Sequence, residues 1–128
     1  MSTRCVVTFK QKDESTYHVY KHHDGYPETM LPLIAATLGK AWPLPRYEND
    51  DFAAAFVATA KQGGGGVRLT TDYKTHGDIE FRYEVDQDKN HHLIVKAYQV
   101  GAYTPDGLII KWKHIRDYDL TPLDSVNA

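Results

Sequence analysis

The stretch Tyr17-His18-Val19-Tyr20-Lys21-His22-His23-Asp24-Gly25-Tyr26-Pro27-Glu28 decides the reading of the fold. It opens as an alternating strand, with His18, Tyr20 and His22 on one face and Tyr17, Val19 and Lys21 on the other. Asp24-Gly25 then breaks the strand, because glycine tolerates positive φ and aspartate bonds backbone N–H groups beyond it. Pro27 suits the first turn of a helix, where its missing N–H is not needed, and Glu28 complements the helix dipole. The sequence therefore passes from strand through tight turn to helix. The turn is ringed by His22, His23, Asp24 and Tyr26, groups that bind or transfer protons, which makes it the most site-like stretch in the chain.

Upstream, residues 4–10 contain Val6, Val7 and Phe9 and read as a first strand, joined to residues 16–22 by a polar hairpin loop. Downstream, Met30, Leu31, Leu33, Ile34 and Leu38 form an apolar stripe that Gly39 ends. Pro32 either kinks this helix or moves its proper start to about Leu31. Trp42-Pro43-Leu44-Pro45 reads as an extended connector. A second helix is predicted over residues 50–62, capped by Asn49 or Asp50, with Phe52, Ala55, Phe56 and Thr59 on one face. Its alanines indicate close approach to a neighbour, and Gly63 to Gly66 end it.

The remainder reads as strands. In residues 79–85, Ile79, Phe81, Tyr83 and Val85 are predicted to face one way and Glu80, Arg82 and Glu84 the other. Residues 67–71 and 92–100 supply two more. Thr104-Pro105-Asp106-Gly107 is a turn before a last strand over 108–113. In the tail from His114, Tyr118, Leu120 and Leu123 indicate partial packing, with loose final residues. The order β-β-α-α-β-β-β-β predicts an α+β fold: an antiparallel sheet of five or six strands with a consecutive pair of helices on one face.

The chain of 128 residues fits one domain, 1–128, able to bury a core without staples. A formal net charge of −2 offers no field that would attract long nucleic acid. The single cysteine, Cys5, excludes an internal disulfide. No apolar run suits a leader or a membrane span. A soluble, cytoplasmic setting with no membrane partner is the expectation.

Ser2-Thr3-Arg4, the histidine-bearing strand and the motif Asp24-Gly25-Tyr26-Pro27 together resemble a group of small phage and prophage proteins with no assigned activity. The resemblance covers the first third of the chain, and the Ala-rich helix and Gly-rich loop fit it loosely. This chain departs from the group at His23, where an aromatic residue is usual. The resemblance implies an accessory role, such as one against host defence.

Seven histidines are present, but no pattern among them has metal-ligand spacing. His18 and His22 stand roughly 13 Å apart along a strand, and the pairs His22-His23 and His91-His92 point to opposite faces. Neither a metal nor a cofactor is expected, although His22, Asp24 and a histidine from another hairpin leave a cross-strand site open. His22 with Asp24 would form an acid–base pair if they touch; otherwise Asp24 folds the turn and His22 packs. Asp50-Asp51 reads as a helix start. Ser2, Ser15 and Ser125 lack a nucleophile's setting, and Cys5 reads as a buried inert thiol. The four glycines follow a helix and precede a strand, the reverse of a phosphate loop. Lys111-Trp112-Lys113-His114-Ile115-Arg116 would stack a base and hold a phosphate, or else protect a sheet edge.

The function these residues favour is non-catalytic binding of a small ligand or a protein partner at Arg4, His22, Asp24 and Tyr26. For a nucleotide ligand, Trp112 and Arg116 are added. The alternative is phosphoester hydrolysis with His22 as acid or base beside Asp24. Sheet edges leave a homo-oligomer open.

Overall fold

The computed structural model describes residues 3–73, 78–105 and 109–121. His76, the Asp106-Gly107 half of the expected turn and Leu123 lie outside these residues. Two strands, β1 (Arg4–Phe9) and β2 (Tyr17–Lys21), precede two helices, α1 (Pro27–Thr37) and α2 (Asn49–Ala60), and four strands follow: β3 (Val67–Thr70), β4 (Ile79–Gln87), β5 (Leu93–Tyr103) and β6 (Ile109–Asp119). The expected α+β order is present. The segment from His114 to Asp119, expected as a packed tail, instead continues β6.

The six strands form one sheet in the order β3-β2-β1-β4-β5-β6. The sheet is mixed, not purely antiparallel, because β1 pairs with β4 in parallel. The cause is topological. β3 returns antiparallel beside β2, so it runs in the same direction as β1, and the chain must then cross β2 and β1 to add β4 on the far side. Parallel neighbours require such a crossover, which pattern reading alone renders as a hairpin.

Both helices lie on one face, over a core of Val7, Phe9, Val19, Tyr83 and Val85 from the sheet and Met30, Ile34, Phe52 and Phe56 from the helices. The Phe9 ring meets Phe56 at 5.5 Å and Phe52 at 6.0 Å between centroids, tilted as aromatic quadrupoles prefer. α1 starts at Pro27 and includes Pro32 within it, so the late start near Leu31 does not occur. Asn49 is not a cap. The N-cap is Glu48, and the buried Asn49 amide donates to the carbonyls of Phe9 and Ser15, tying α2 to the β1–β2 hairpin.

Two further corrections concern the opposite face. Ile79 lies there and not with Phe81 and Tyr83, because the β1–β4 register shifts between Arg4 and Cys5. Ile79 joins Val6 and Tyr20 in a second small core, with Tyr73, Ile109 and Trp112 packed against it. Arg82, expected on a wet face, is only 8% exposed. Its guanidinium pairs with Glu84 at 2.7 Å and lies 3.6 Å from the centre of the Tyr73 ring, supplied by the chain leaving β3.

Candidate functional site

The decisive turn is built by two different residues, each with its own reason. Asp24 takes the positive φ, 53°, which aspartate tolerates. Gly25 is required by space: a Cβ there would meet the Cys5 Cβ at 2.8 Å and the Thr3 carbonyl at 2.9 Å. The Gly25 N–H donates to the Thr3 carbonyl at 2.8 Å, and the Tyr83 hydroxyl donates to the Gly25 carbonyl at 2.6 Å. Cys5 beneath it is fully buried, as its place in the strand predicts, and burial pushes its thiol up to about 12, which disfavours the thiolate.

This turn separates the expected site residues. His22 stays on the face away from the helices, where its Nδ1 meets the Tyr20 hydroxyl at 2.7 Å and its N–H donates to the Gly66 carbonyl at 2.9 Å. Asp24 is directed to the helix side, where it lines a cavity of about 250 Å³ with Lys21, His23, Thr29, Leu33 and the glycine-rich loop. No hydrogen bond or ion pair joins His22 to Asp24 among the described residues. Tyr26 stands exposed at the N-cap of α1. The glycine-rich loop borders the Asp24 cavity, with positive φ at Gly64 and Gly66.

The other candidates divide in the same way. Trp112 lies on the His22 face, packed against the core of Val6, Tyr20 and Ile79. Arg116 lies on the helix side: it pairs with Ala97 of the main core, and its guanidinium sits 5.0 Å from the Tyr118 ring. The register shift between Ala97 and Tyr98 accounts for this, since an extra residue in β6 reverses the faces that period-two counting assigns.

What the structure does bring together is a basic cluster. Arg4 and Arg68 lie on the His22 face, and burial, followed by its neighbours Arg4, His23 and Arg68, lowers the His22 pKa. Arg68 lies opposite Tyr20 in the β2–β3 ladder, and Arg4 forms a 3.2 Å ion pair with the highly exposed Asp78. The Lys21 ammonium donates to the His23 carbonyl. Sequence reading missed Arg68, because only strand register places it beside Tyr20.

On the same face His18 meets the Thr8 hydroxyl at 2.9 Å through Nδ1, and burial followed by Arg82 lowers its pKa. Protonation of His18 is thus easier in the unfolded chain. Its contribution to stability is complete above about pH 6.5 and is lost as pH falls below that value. His18→Gln is expected to flatten the loss of stability between about pH 6.5 and 5, measured by urea unfolding across that range. An unchanged acid limb would mean that His18 does not carry it.

No group of three or more histidine, cysteine, aspartate or glutamate side chains suited to a metal occurs among the described residues, and none of their helices is long and apolar enough to cross a membrane. No protein-family model matches this chain, and no curated protein or solved structure does.

Proposed function

We propose that this protein is a non-catalytic binding module, of the phage- or prophage-accessory type that its N-terminal motif resembles, and that it recognises a small phosphorylated ligand. The observation that carries this reading is the strand register that sets Arg68 opposite Tyr20 and Arg4 beside His22, on the face that also carries Trp112. Two guanidinium groups hold the anion through charge-assisted hydrogen bonds, and the Tyr20–His22 pair adds a neutral donor. Trp112 offers a partly exposed ring for a base, so a mononucleotide fits better than free phosphate. Arg116 and Asp24, on the other side of the sheet, have no part in this site.

Titration of the ¹⁵N-labelled protein with inorganic phosphate and with adenosine monophosphate tests the reading. Shifts are expected at Tyr20, His22 and Arg68 with both anions. Arg4→Ala and Arg68→Ala should each weaken binding by about tenfold, the scale of one charge-assisted bond. Trp112→Ala should weaken only the nucleotide. An anion beside His22 raises its pKa, so binding should tighten as pH falls through the histidine range. Absence of shifts at these residues with both anions would refute the site. Phosphoester turnover that disappears in His22→Ala would replace a binder with a hydrolase.

A further inference from the structure

The two edges of the sheet differ in how they meet solvent. β6 forms one edge and presents exposed Lys111, Lys113 and Arg116, charges that oppose pairing with another strand. β3 forms the other, and its residues are Val67, Arg68, Leu69 and Thr70. The His22 N–H bonds the Gly66 carbonyl, and the register then places Arg68 and Thr70 at the hydrogen-bonded positions facing β2. The N–H and C=O of Leu69 therefore point away from the sheet. Its side chain is 81% exposed, the most exposed large apolar side chain among the described residues.

Leu69 also borders a cleft of about 500 Å³ between the edge and α2, lined by Tyr17, Ala53, Ala54 and Val57 with exposed Asp50. The cleft lies on the helix side of β3, while Arg68 stands on the other side with Arg4 and His22. An edge whose Leu69 main-chain groups have no partner among the described residues, an apolar cleft on one face and a cation, Arg68, on the other define the partner's pattern.

We infer that β3 receives, as a seventh strand, an extended segment of a partner protein whose side chains alternate between apolar and acidic. The segment runs antiparallel to β3, the more stable pairing, with an apolar residue opposite Leu69 exchanging both main-chain bonds and filling the cleft. Its neighbours then face Arg68 and Thr70, and the acidic side chain opposite Arg68 meets its guanidinium. A second copy of this chain fits less well. Pairing β3 with itself about Leu69 would set the two Arg68 side chains diagonally, roughly 7–8 Å apart. It would also bring two sets of Arg4 and His22 to one face. The inference goes beyond the anion site and shares only Arg68 with it.

The test uses the full ¹⁵N-labelled chain and a capped peptide of alternating valine and glutamate. Adding the peptide should protect the Leu69 amide from hydrogen exchange and shift Tyr17, Ala54 and Val57. With valine opposite Leu69, the valine amides are the ones that face β3. A peptide N-methylated at its valines should bind about tenfold more weakly or not at all, and one N-methylated at its glutamates should bind as before. Arg68→Glu should reverse the preference to the valine–lysine peptide. Arg4→Ala, which should weaken the anion site, should leave the contrast between methylated peptides intact, so the two readings fail separately. Equal binding of both methylated peptides would overturn the inference, as would an unprotected Leu69 at millimolar peptide. A peptide-free dimer with Leu69 already protected would assign the edge to a second copy and overturn it too.

Discussion

Asn49→Asp is expected to destabilise the protein by about 4 kcal/mol at pH 7, the scale of an uncompensated buried charge. The Asn49 side chain is 3% exposed, and its amide nitrogen donates to the Phe9 carbonyl at 3.2 Å and the Ser15 carbonyl at 2.6 Å. Aspartate has the same shape but no donor, so a carboxylate oxygen would face two carbonyl oxygens away from water. The folded state would then favour the protonated acid and raise its pKa above the unfolded value of about 3.9. A group raised in this way supports folding below its unfolded pKa and loses that support as pH rises through the folded one. The deficit of Asn49→Asp relative to the parent should therefore be full at neutral pH and shrink as pH falls towards about 4. Asn49→Ala, which only leaves the carbonyls unpaired, should cost about 2 kcal/mol with no such pH dependence. Urea unfolding of parent and both variants at pH 4 to 7 is the measurement. A deficit independent of pH in the aspartate variant would mean that the carboxylate reaches water and that Asn49 is not the tie between hairpin and helix.

Gly25→Ala is expected to cost about 3 kcal/mol and to lower Tm by roughly 10 °C, as overpacking in a domain of this size does. The added methyl group would lie 2.8 Å from the Cys5 Cβ and 2.9 Å from the Thr3 carbonyl, both parts of β1 or its approach and neither the end of a flexible side chain. Relief requires moving the turn outward, which stretches the bonds from Gly25 to Thr3 and from Tyr83 to Gly25. Tyr83→Phe removes only the second of these and should cost about 1–2 kcal/mol. If the two substitutions share one structural response, the double variant should lose less than the sum. Calorimetry and urea midpoints check both values. A neutral Gly25→Ala would show that the turn does not need its close seat against Cys5.

The sequence alone determined the identity and order of the elements. Period-two alternation in residues 17–22, the proline-led start of α1 and the helical spacing of Phe52, Ala55 and Phe56 are local patterns, and local backbone preference is enough to read them. The burial of Cys5 followed from its place mid-strand. What needed tertiary structure depends on register and direction. That β4 lies parallel to β1 follows from where β3 attaches, which no pattern within either strand records. The side change of Ile79 and the opposite placement of Trp112 and Arg116 both come from register shifts, each of which inverts a face without altering the sequence pattern. His22 and Asp24, two residues apart, looked like partners; the positive φ at Asp24 directs them to opposite faces of the sheet. The cations around His22 were assembled instead by strand pairing, which sets Arg68 opposite Tyr20 across forty-eight positions of sequence (68 − 20). Local chemistry chose the strands and helices, and the ladder of main-chain hydrogen bonds decided which side chains meet.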